Sequence, residues 1–129
     1  MKKIDKDVLT VLQKTRELIR SPRNWTQFVT ARDVESHYVP YNSVRAVKWH
    51  VCGALLKNID LLINGSSNDK IATFWDTYNK TLEVLKEVAW RHGLGDLLSI
   101  NDAPDRKKAF HNIRGILNHA INSIKKNVI

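Results

Sequence analysis

The chain has 129 residues, enough to bury a core of its own and too few for a second full domain. Hydrophobic residues make up 43% and charged residues 26%, with 5 glycines and 3 prolines, which excludes collagen-like and low-complexity chains. Lys plus Arg number 21 against 13 Asp plus Glu, a formal net charge of +8; the lone cysteine excludes an internal disulfide framework and a cysteine-built zinc site.

Residues 5–20 form the first predicted helix. Val8, Val11, Leu12, Leu18 and Ile19 recur on one face, with Lys6, Lys14, Glu17 and Arg20 opposite. Ser21-Pro22 ends it, because the residue before a proline is pushed out of helical backbone. Residues 25–30 are aromatic and β-branched and suit a short strand. Residues 37–39 pair with it across a turn at Asp33–Ser36, and Pro40 closes the hairpin. The second helix is expected over 44–64. It is apolar nearly all round, as a central buried helix is, and it leaves a narrow polar stripe of His50, Gly53, Lys57 and Asp60. A loop with a glycine stop follows at 64–68.

The third helix is expected over 69–92, with Phe74, Tyr78, Leu82, Leu85 and Ala89 recurring at three and four and Gly93 as its C-terminal stop. Residues 94–100 read as a connector. The last helix is expected over 104–126, capped by Asp102, with Pro104 in its first turn and Lys125 and Lys126 at the end its dipole favours. The fold class is therefore mainly α: a compact four-helix domain, residues 1–129, with a small β hairpin after the first helix.

Three short segments carry a family resemblance. They are Pro22-Arg23-Asn24-Trp25-Thr26-Gln27, Trp49-His50-Val51-Cys52-Gly53-Ala54-Leu55 and Asn101-Asp102-Ala103-Pro104-Asp105-Arg106. Their order resembles that of an uncharacterised family of short bacterial and phage proteins with a central W-C-A-x-G-A-L helix and a late N-D-x-P-x-R helix start. In this chain His50 fills that family's cysteine position and Cys52 stands two residues later. The resemblance implies a fold and no activity.

Chemistry-bearing residues are sparse. Cys52 falls in the most apolar sector of its helix, where a thiol keeps a high pKa and packs as core. His111 and His119, eight residues apart on one helix, stand ~12 Å apart along its axis and cannot share a metal. No metal site, cofactor or catalytic residue is assigned, and the phosphate-binding, dinucleotide, zinc-protease and serine-elbow motifs are absent. Asn101 reads as a turn residue and Asp102 as a cap.

The charge is the positive clue. Residues 1–32 carry a net +5 and residues 103–129 another +5, while residues 69–102 carry −2. Lys14, Arg20, Arg23 and Arg32 near one end and Lys107, Lys108 and Arg114 near the other share a face if the terminal helices pack together, with Trp25 placed to stack a base. The expected function is a non-enzymatic accessory or inhibitor protein that docks on a larger macromolecular partner, with a protein as the expected partner; a phage origin is what the resemblance implies. Direct nucleic-acid binding through the basic ends is the alternative. Self-association through Phe28 and Trp90 is a further option if both are exposed. No apolar run reaches the ~18–20 residues of a membrane span, and the charged start forbids a signal peptide, so a cytoplasmic location is expected.

Overall fold

The computed structural model describes residues 3–63 and 68–126; most of the loop expected at 64–68 lies outside them. Helix α1 spans Lys3–Leu18 and buries Val8, Val11, Leu12 and Thr15. A single 3-10 turn, Pro22–Asn24, follows, its first residue a proline and its cap Ser21, whose hydroxyl accepts from the Arg23 amide. Strands β1 (Ala31–Arg32) and β2 (Lys48–Trp49) pair antiparallel, with Ala31 opposite Trp49. Then come α2 (Val51–Ile63), α3 (Asn68–Arg91), α4 (Leu97–Asn101) and α5 (Arg106–Lys126). The fold is mainly helical, with the small sheet after the first helix, as expected.

Three local expectations need correction. The hairpin does not run over residues 25–30. Its first strand is Ala31–Arg32, and residues 25–30 form no strand of it, meeting β2 at a bridge between Trp25 and Trp49. The turn at Asp33–Ser36 does form. Asp33 Oδ1 accepts from the amides of Glu35 and His37, Ser36 has a φ of 67°, and Val39 N donates to Ala31 O at 3.1 Å. The other edge of β1, however, is taken by residues 47–50.

Those residues cause the second correction. Helix α2 starts at Val51, not at 44, because Val47 N donates to Arg32 O and His50 N to Thr30 O. Amides committed to a strand partner cannot point along a helix axis. Third, the connector holds helix α4, capped by Asp96, whose carboxylate accepts from Ser99 N. The cap of α5 is Asp105, whose Oδ1 accepts from Lys108 N at 3.1 Å, and not Asp102.

The core lies where α1, α2, α3 and α5 meet. Leu12, Ile19, Trp25, Leu55, Ile59, Leu85, Ile113, Ile116, Leu117 and Ile121 are its largest fully buried side chains. Helix α1 packs on both α2 and α5, so the two basic ends of the chain do come side by side. Gly93, at a φ of 67°, ends α3 with Leu94 N donating back to Ala89 O, the glycine-terminated closure the sequence signals.

Candidate functional site

Asn101, the last residue of α4, is fully buried, and its amide uses every hydrogen-bonding position it has. Its Oδ1 accepts from Trp25 Nε1 at 2.8 Å and from Val51 N at 3.2 Å. Its Nδ2 donates to Thr26 O at 3.1 Å and to Asp102 Oδ1 at 3.0 Å. Gln27 adds a second layer, donating to Asn101 O and Ala103 O while its Oε1 accepts from Arg106. The Arg106 guanidinium also lies 5.0 Å over the Trp25 ring. The three segments of the resemblance thus meet in one polar hub. It closes the ends of α2, α4 and α5 onto the chain between the 3-10 turn and β1.

His50 belongs to this hub rather than to a polar stripe. It caps α2: its Nδ1 accepts from Cys52 N at 3.1 Å, so in the neutral ring the proton sits on Nε2, 3.2 Å from Asp102 Oδ1. The ring is 3% exposed. Burial pushes its pKa below the ordinary histidine value, with the Asp102 carboxylate opposing. A folded histidine that stays neutral binds fewer protons than the unfolded chain, so stability falls as pH drops through about 6.5, the unfolded value. The expected result is a urea midpoint lower at about pH 5.5 than at about pH 7.5. Replacing His50→Asn keeps a capping side chain, and the pH dependence should flatten. An unchanged pH slope in that variant would contradict the assignment.

The other members of the expected stripe stand apart. Gly53 is buried, and the Thr30 carbonyl occupies the space a β-carbon would need there. Lys57 reaches 5.3 Å over the Trp49 ring, and Asp60 is exposed beside a cleft with Tyr41 and Lys70. The Cys52 thiol is pushed up to about 11 by burial, as its apolar sector implied.

The basic residues divide into two groups. Lys107, Lys108 and Arg114 line a groove of about 760 Å³ along α5, with Pro22, Phe110, His111, Gly115 and Asn118. Two of its lining residues tie α5 to the end of α1 and the residues after it: Arg114 donates to Arg20 O at 2.7 Å, and Asn118 Oδ1 accepts from Arg16 at 3.1 Å. Arg23, next to Pro22, is exposed, and Arg20 pairs with Glu17 at 3.5 Å. Trp25 and Arg32 do not face solvent as ligands for a base. Trp25 is fully buried, and Arg32 is spent holding the loop through Thr26 Oγ1, Ser36 O and Gln27 O. Lys14 is exposed on α1 and does not line the groove.

Sequence reasoning missed the tying role of Arg114, whose signal was weak. It also missed the His92 ring lying 4.3 Å from that of His119 across the α3–α5 contact. Among the described residues no three His, Cys, Asp or Glu side chains gather to hold a metal ion, and no helix is long and apolar enough to cross a membrane. Phe28 and Trp90 are both exposed, at 69% and 78%.

These features define a small helical domain, locked by a buried asparagine hub and carrying a basic groove along its last helix. The chain belongs to a family of unknown function, DUF6197, whose family model matches residues 3–121. No curated protein and no solved structure matches it.

Proposed function

We propose that the protein is a non-enzymatic binding protein that docks on a polyanionic macromolecule through the groove along α5. The observation that carries this is the groove lined by Lys107, Lys108 and Arg114 of α5 together with Phe110 and Pro22, in which Lys107 and Lys108 are exposed. Cations lining a concave surface with an apolar floor focus their field and concentrate an anionic partner there. Only Asp105 opposes them on the lining, and its carboxylate caps α5. Acidic protein faces and nucleic acids both meet this description.

A catalytic reading of His50 with Asp102 has less support. The ring nitrogen that a base would use already accepts from the helix, and the ring is buried.

The test uses Lys107 and Lys108, which are exposed and peripheral to the core. A Lys107→Glu/Lys108→Glu double variant should elute from a heparin column at clearly lower salt than the wild type, with an unchanged melting temperature. Retention equal to that of wild type would overturn the proposal. Arg114 is a poor probe, because its bond to Arg20 O also holds α1 against α5.

A further inference from the structure

Two histidines meet where the end of α3 packs on α5. His92 directly follows α3. Its amide closes the last turn on Val88 O at 3.1 Å, and Gly93, in the left-handed region, fixes the chain just beyond it. His119 belongs to α5. The two ring centroids lie 4.3 Å apart, with 32° between the ring planes. Both residues are exposed, and among the described residues neither ring takes a hydrogen bond or an ion pair. Two imidazoles from separate elements are thus held together with their nitrogens uncommitted. They line a cleft of about 270 Å³ with Asn112 and Gly115. A β-carbon at Gly115 would meet nothing within 4 Å, so the cleft is open there.

We infer that His92 and His119 are the two protein ligands of a divalent copper or nickel ion that bridges the end of α3 to α5. The inference stands apart from the docking reading. Neutral imidazole suits copper, nickel and zinc, and copper binds tightest among them. An imidazole nitrogen sits ~2.0–2.1 Å from such an ion, and the ring centre lies ~1.1 Å further back. Two rings on one ion then have centres ~4.5 Å apart when their nitrogens subtend a right angle, and ~5.1 Å apart in a tetrahedron. The observed 4.3 Å matches the right angle. Right angles belong to the square and tetragonal sites of divalent copper and nickel, and the tetrahedron to zinc. Exposed rings change rotamer without disturbing the core, so both can turn a nitrogen onto the same ion. No third His, Cys, Asp or Glu joins the pair among the described residues, which leaves the other coordination positions to solvent. His111 lines the same cleft but lies eight residues from His119, ~12 Å along the helix, beyond reach of that ion.

The experiment titrates the metal-free full chain with copper chloride at about pH 7.5, with nickel chloride and zinc chloride in parallel. Electron paramagnetic resonance counts the nitrogens on copper, and thermal melting reads the bridge between the helices. Wild type is compared with His92→Ala and His119→Ala. His111→Ala and His37→Ala, at the other two exposed histidines, are the controls. The resonance is read well below every melting transition, so a change in stability cannot mimic a lost ligand. The expected result for wild type is one bound copper with a two-nitrogen hyperfine pattern and a raised melting temperature, because an ion that binds only the folded chain stabilises it. His92→Ala and His119→Ala should each lose the two-nitrogen pattern, the melting shift and at least about tenfold in affinity. Both controls should keep all three, and zinc should bind more weakly than copper. Unchanged copper affinity in either ligand variant, a one-nitrogen pattern in wild type, or an equal loss in a control overturns the pair as the site. Zinc binding as tightly as copper overturns the choice of ion. Binding of neither copper nor nickel overturns the inference outright.

Discussion

Replacing Asn101→Ala should cost the fold about 3–5 kcal/mol, a large share of the ~5–15 kcal/mol that holds a domain together. The substitution strands three buried partners at once: the Trp25 indole N–H, the Val51 amide and the Thr26 carbonyl. Each buried polar group left without a partner costs ~1–3 kcal/mol. Water cannot fully repair the loss, because Asn101 and Trp25 are both fully buried. Asn101→Asp serves as a control for shape. It keeps an oxygen for Trp25 and Val51 but loses the donor to Thr26 O and sets a second carboxylate against Asp102. It should therefore also destabilise strongly, and more so above the carboxylate pKa than below it. Urea unfolding of each variant measures this. A loss under about 1 kcal/mol for Asn101→Ala would mean that the hub is a passive contact.

Gly53→Ala carries the second large effect. In an exposed helix the change would stabilise by ~1 kcal/mol. In this chain the added methyl group overlaps the Thr30 carbonyl oxygen and lies 2.9 Å from its carbon. Thr30 cannot easily retreat, since its carbonyl accepts from His50 N and fixes the start of α2 against the chain beside β1. No side-chain rotation relieves an overlap with backbone, so a net loss of at least ~2 kcal/mol is expected. Thermal melting of Gly53→Ala beside Gly115→Ala separates the two effects. A Cβ at Gly115 meets nothing within 4 Å, so that variant should gain slightly from helix propensity. Equal melting temperatures for the two variants would contradict the close approach at Gly53.

The long amphipathic helices were legible because their signals are local. Helices α1, α3 and α5 follow the apolar repeats, and Gly93 and Ser21-Pro22 stop them where expected. The start of α2 was not legible. Val44 and Val47 continue the apolar run of the helix, yet both are exposed, and the amide of Val47 is drawn to Arg32 O by a pairing that local sequence does not encode. The hub was misread for the same reason. Asn101-Asp102 before a proline looks like a turn and a cap, while their actual partners lie at Trp25, Thr26, Phe28 and Val51, far away in sequence. A signal was present in Trp25: a buried indole needs an acceptor for its N–H, and a buried asparagine supplies one. For the groove, the sequence showed that both ends are basic. It did not show which cations are free to meet a partner, because that depends on the backbone oxygens that capture Arg32 and Arg114.

The central claim is that a polyanion docks along α5, and its most direct measurement is a backbone amide map by NMR during titration with a heparin oligosaccharide. The account predicts shifts concentrated at residues 105–118 and at Arg23, which follows the lining residue Pro22, fading as salt rises because displaced counterions drive the binding. Shifts gathered instead on α3, or the absence of any shift at low salt, would contradict it.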